Sequence, residues 1–143
     1  MTILDAFAVI ALLKGEPAAP AVQLLIRGGG CALTTLGVAE ATDHLVRVVG
    51  TSEEDAVLDV AQLGLARPIE LDDASATQAA LLRASHYNKK NRAVSLADCV
   101  AAHAARTTAS AVATSDPHLL DLCLDEDITV IPLPDSSGRM WAP

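Results

Sequence analysis

The chain has 143 residues, 51% of them apolar, which is enough for one domain around one contiguous core. A formal net charge of −8 excludes nucleic-acid binding by bulk electrostatics. An aromatic content of 2% removes the stacking surface used by single-strand binders of the RRM or OB type, so any action on RNA must work through bound metal and a local basic patch.

In chain order, Thr2–Leu4 reads as a first strand and leads through Asp5 into the apolar run Ala6–Leu13. That run is far short of the ~20 residues needed to span a bilayer. No basic residue precedes it, so it does not read as a secretory signal, and no membrane association is expected. A second helix closes at Gly28-Gly29-Gly30, which lacks the order of a dinucleotide fingerprint and any Walker lysine. Ala32–Thr35 is the second candidate strand. Val38, Thr42, Leu45 and Val49 then fall at i, i+4, i+7 and i+11, a helical stripe.

Thr51 and Ser52 stand three residues before Glu54 and Asp55, the spacing of a capping box, and Leu58, Leu63 and Leu65 continue that helix. Arg67–Glu70 is a third candidate strand, and Asp72 or Asp73 can cap a helix through Leu81 and Leu82. Another helix begins near Ser95 and leads into strand Ala111–Thr114. Asp116-Pro117 pairs an N-cap acid with proline at the first helical position, and Thr129–Ile131 is the last strand. Short strands separated by helices predict an α/β fold with a parallel sheet covered on both faces. Cys31, Cys99 and Cys123 are too scattered for a disulfide framework and read as buried thiols in a reducing, cytoplasmic setting.

Ligands of open α/β sheets bind beyond the carboxyl ends of the strands. Asp5 follows the first strand and Asp116 follows Ala111–Thr114. Glu40 lies in the opening turns of the helix after Ala32–Thr35, and Asp98 lies in the first turn of the helix after Ser95. All four are placed toward one edge of the sheet. Each has a plainer reading as well: Ser95-Leu96-Ala97-Asp98 is a capping box, Asp116 a helix cap, and Glu40 a solvated helix residue. Asp5 is harder to dismiss, because it is wedged between two apolar runs and the nearest basic residue is Lys14. Clustered carboxylates repel one another, and a divalent cation with oxygen ligands, Mg²⁺ or Mn²⁺, resolves the repulsion. Such an ion suits phosphodiester hydrolysis.

These residues resemble the PIN-domain family, and within it the VapC-type ribonuclease toxins of toxin–antitoxin pairs. Ile3 to Leu13 with Glu16-Pro17 is similar to the family's opening strand, first acid and first helix; Thr34 to Glu40 to the stretch with the second acid; Ser95 to Asp98 to the third acidic motif; and Thr114-Ser115-Asp116 to the fourth. The resemblance covers residues 2 to 133. It implies a PIN-like three-layer sandwich over residues 1–134, with a loose tail from Asp135 to Pro143. It further implies a Mg²⁺- or Mn²⁺-dependent endoribonuclease with Asp5, Glu40, Asp98 and Asp116 as catalytic metal ligands and Thr114 as hydroxyl support. A cognate antitoxin and a homodimer are the implied protein partners. Phe7 stands where the family usually has a small hydroxyl residue, which keeps a catalytically impaired binding module as the alternative. A phosphoacceptor receiver domain fails, because its lysine is missing at Ile131-Pro132-Leu133-Pro134.

His86 to Arg92 is the one basic cluster, and it immediately precedes the Asp98 helix. Lys89, Lys90 and Arg92 are therefore candidate RNA contacts beside the acids; the alternative is a solvated loop.

Overall fold

The computed structural model describes residues 1–143. Four parallel strands, β1 (Thr2–Leu4), β2 (Cys31–Ala32), β3 (Ala111–Thr114) and β4 (Val130–Pro132), form one sheet in the order β2-β1-β3-β4. Thr2, Ile3 and Leu4 pair with Ala111, Val112 and Ala113. Successive strand side chains point to opposite faces. Ile3 and Val112 accordingly pack into one apolar cluster, and Leu4 and Ala113 into the other.

Helices cover both faces. On the Leu4 side lie α1 (Ala6–Lys14), α2 (Ala19–Arg27) and the buried Ala41 of α3 (Thr35–His44). On the Ile3 side lie α5 (Asp73–His86), α6 (Leu96–Thr107) and α7 (Pro117–Asp125). The result is a three-layer α/β sandwich, as expected. Small side chains make it compact: Cys99, Ala101, Ala102, Ala104 and Ala105 of α6 are all buried. No single helix is long and apolar enough to cross a membrane. Cys31, Cys99 and Cys123 are buried free thiols.

Three local expectations are corrected. Arg67–Glu70 is not a strand; it contributes one parallel bridge, Thr34 to Ile69. Pro68 has no N–H to donate, and Thr34 already turns the chain into α3 by accepting a hydrogen bond from the Gly37 amide at 2.9 Å, so no ladder can extend. The stripe from Val38 to Val49 is not one regular helix, because a π-helical turn at Leu45–Val49 rotates the face. Leu45 is buried while Val49 is exposed. The helix containing Leu58, α4 (Glu53–Ala61), stops before Leu63 and Leu65, since Gln62 caps it and Gly64 takes a left-handed φ of 77°.

Candidate active site

Strand order places the first acid beside the last. β1 and β3 are neighbours, yet the helices that follow them leave toward opposite faces: α1 after β1, α7 after β3. This is the point of an open sheet where a crevice forms beyond the strand ends. Asp5 ends β1 there, its amide donating to the Ala113 carbonyl at 3.0 Å. Asp116 stands two residues past β3 and caps α7 through the His118 amide at 2.9 Å. Glu40 reaches the crevice from α3 and Asp98 from the first turn of α6. All four carboxylates line one open cleft of about 650 Å³.

Thr114 ties two of these positions together. Its buried hydroxyl donates to Asp5 Oδ2 at 2.7 Å and accepts from the Asp116 amide at 3.0 Å. Thr114→Val keeps the shape but leaves both partners without that bond. We expect a loss of about 1–3 kcal/mol, measured by urea unfolding at neutral pH; an unchanged midpoint would show that the bond carries no stability.

Asp98 is held by reciprocal bonds with Ser95. The Ser95 amide donates to Asp98 Oδ2 at 2.9 Å, and the Asp98 amide donates to Ser95 Oγ at 3.0 Å. The capping role is therefore real. It does not exhaust the residue, because burial, followed by repulsion from Asp5 and Asp116, pushes the Asp98 carboxyl up to about 7 despite the Ser95 bonds. Burial also raises the Asp5 carboxyl, against the lowering effect of Thr114 and the Phe7 amide, with Asp116 adding repulsion. Burial raises Glu40 too, helped by Asp5. Three mutually repelling carboxyls thus share a cleft whose basic lining residues are Lys14 and His44. Lys14 is engaged by Glu16 at 3.1 Å.

This donor set suits a hard divalent cation: oxygen only, partly desolvated, and short of positive charge. As the side chains lie, no three His, Cys, Asp or Glu groups converge tightly enough to enclose one ion.

The basic cluster is not on the cleft wall. Lys89 and Lys90 are exposed on a turn closed by the Asn88–Arg92 bridge. The Arg92 guanidinium pairs with Asp125 at 3.0 Å, and its Nε is buried without a hydrogen-bond partner. Asp125 ends α7, roughly 14 Å along the helix from Asp116. His86 and Arg106 pair with the adjacent Glu126, so Arg92 belongs to an ion-pair group around the far end of that helix. Arg92→Ala is expected to cost about 1–2 kcal/mol in thermal unfolding, whereas Lys89→Ala with Lys90→Ala stays within about 0.5 kcal/mol. Equal effects would contradict this division.

Two cleft residues escaped the reading of the sequence. Asp135, with Ser136, lines the site just past β4. The strand-end rule that singles out Asp5 and Asp116 applies equally to it. Its Oδ1 accepts from the amides of Ser137 and Arg139, both at 2.9 Å, and Trp141 Nε1 donates to Asp121 of α7 at 2.9 Å. The terminal segment is thus folded back against the domain rather than loose. His44 is the other; it lies four residues after Glu40 and therefore on the same face of α3.

FitAcB from Neisseria gonorrhoeae has a similar structure, with a TM-score of 0.67 and 20% identity over 92% of this chain and 96% of that one. The FitAB complex bound to an IR36 DNA fragment gives 0.66 and 20% over 92% and 94%. VapBC2 from Rickettsia felis, bound to a DNA fragment from its promoter, gives 0.66 and 14% over 91% and 96%. No curated protein matches the sequence. The family model described as PIN domain matches residues 2–124, from the first strand to the last turn of α7 and across all four cleft acids. The chain belongs to the PIN domain family.

Proposed function

We propose that the chain is a Mg²⁺- or Mn²⁺-dependent endoribonuclease and the toxin half of a toxin–antitoxin pair. The observation that carries this reading is the convergence of Asp5, Glu40, Asp98 and Asp116 on the β1/β3 crevice, with three of them pushed toward their neutral forms by burial and by neighbouring carboxylates. These four residues would hold the ion. When bound, it supplies a water of lowered pKa and polarises the phosphoryl oxygens. Thr114 fixes the Asp5 carboxylate and the entry to α7, and Ser95 fixes Asp98, so the ligands are held by short bonds before any ion arrives. Hydrolysis by water leaves a free 3′-hydroxyl.

The similar structures include two-component complexes with DNA, FitAB and VapBC2. With a net charge of −8, this chain is poorly suited to hold DNA itself, and that contact falls to a basic partner. A partner's Arg or Lys placed among the four carboxylates would satisfy the charges that the ion otherwise satisfies and so inhibit the enzyme. Exposed apolar side chains on several helices, including Leu24, Val57, Leu81 and Leu124, support protein contacts, a homodimer among them. Light scattering showing only single chains at tens of micromolar would remove the homodimer.

The test is cleavage of single-stranded RNA by the purified chain with Mg²⁺, lost in excess EDTA and restored by added metal. Activity indifferent to EDTA overturns the metal; no cleavage together with Mg²⁺ binding leaves a binding module. If Lys89 and Lys90 guide RNA, replacing both with alanine flattens the salt dependence of cleavage. An unaltered slope makes them a solvated turn.

A further inference from the structure

We propose that Phe7 and His44 form a stacking platform at the mouth of the carboxylate cleft, for one unpaired base flanking the scissile phosphate. The proposal rests on the nuclease reading and deepens it. The chain has a single Phe, a single Tyr and a single Trp. Phe7 is not spent on the core. It is 50% exposed, although its neighbours Ala6, Ala8, Val9 and Ile10 on α1 are buried. Its position is fixed by the site: the Phe7 amide donates to Asp5 Oδ1 at 3.3 Å, and its ring meets His44 edge to face, with centroids 5.2 Å apart and planes at 76°. His44 is carried by α3, four residues after Glu40, so each ring is anchored beside a cleft acid. Both rings line the same cleft as the four carboxylates.

A T-shaped pair covers at most one face of either ring. Phe7 is half exposed and lines the cleft, so ring surface beyond the His44 contact remains open there. An exposed phenyl ring among carboxylates offers nothing to a phosphate. It offers a base what that base needs, a flat apolar surface that tolerates any sequence. A base must leave its own stack to reach the ring, so the platform selects single strands over duplex.

The experiment uses the whole chain and a short single-stranded RNA with 2-aminopurine placed at successive positions. Ca²⁺ replaces Mg²⁺ in the binding arm, since it takes the same oxygen ligands. Stacking on Phe7 quenches the fluorophore at one position, Phe7→Ala abolishes the quench and weakens binding about tenfold, and Phe7→Trp retains both. Phe7→Leu, which keeps apolar bulk without a ring, behaves like alanine. Thermal melting of all three variants stays close to wild type, confirming that the ring is not structural. Binding and quenching unchanged in Phe7→Ala, or duplex RNA bound as tightly as single strands, overturn the platform. So does a Phe7 effect seen only on association with a protein partner. Cleavage with Mg²⁺ is followed in parallel. RNA stacked through Phe7 but never cut keeps the platform and sinks the nuclease, whereas cutting indifferent to Phe7 does the reverse.

Discussion

The metal-free protein should become more stable as pH falls from 8 to 5, opposite to the usual acid destabilisation of paired carboxylates. Asp98 ordinarily titrates near 3.8 and is pushed to about 7 in the folded chain; Asp5 and Glu40 are raised as well. Between the unfolded and folded values the native state binds more protons than the unfolded state, so stability falls with rising pH. The penalty is absent below about pH 4 and complete above about pH 8. For Asp98 alone, allowing for some solvent access, it is on the order of 2–4 kcal/mol, or roughly 5–10 °C in Tm. Asp43, Asp72 and Asp135 are shifted downward, so their opposing contribution is lost only below about pH 4, outside this window. On the proposed metal site, Mg²⁺ would bind the ionised carboxylates and so raise Tm more at pH 8 than at pH 5. Melting curves at the two pH values, with Mg²⁺ and with EDTA, check both signs. A metal-free Tm that rises from pH 5 to 8 would show that burial and mutual repulsion do not raise these acids as the structure implies.

Much of this arrangement was legible in the sequence because strand-end chemistry is local. Asp5 after Thr2–Leu4 and Asp116 after Ala111–Thr114 announce themselves as acids at the carboxyl ends of strands, and the Ser95–Asp98 capping box fixes where α6 begins. That β1 lies beside β3, with the crevice between them, is a property of the whole sheet that no spacing reveals. The misread elements share a cause, competition between a local pattern and a neighbour distant in sequence. Arg67–Glu70 has strand composition, but its partner Thr34 is already committed to capping α3. Arg92 adjoins Asp98 in sequence, yet its guanidinium pairs with Asp125 at the far end of α7. Asp135 sits in a Ser/Gly/Pro-rich segment whose composition suggests a tail, and its own hydrogen bonds to Ser137 and Arg139 give that segment a shape.

Asp98→Asn should abolish cleavage while leaving the fold intact. The Asn amide oxygen can still accept from the Ser95 amide, and the bond from the Asp98 amide to Ser95 Oγ involves only backbone at position 98. The capping loss is therefore at most about 1 kcal/mol. Against it stands relief of the burial of a charged group and of its repulsion by Asp5 and Asp116, so the metal-free variant should melt higher than wild type at pH 8 and lose the share of the pH dependence that Asp98 contributes, leaving that of Asp5 and Glu40. Metal binding suffers in the opposite sense. A neutral amide removes one full charge from the ion's ligands. Since changing groups merely adjacent to a metal ligand typically costs 10–100-fold, loss of the ligand itself should reduce cleavage by about 100-fold or more. Ser95→Ala is the contrasting variant. It loses the cap, at about 1 kcal/mol, but keeps the carboxylate and should keep measurable Mg²⁺ binding. Calorimetric Mg²⁺ titration, thermal melting and a cleavage assay on the three proteins separate the two roles of Asp98. If Asp98→Asn cleaves and binds Mg²⁺ like wild type, its carboxylate is only a helix cap and the four-acid metal site falls.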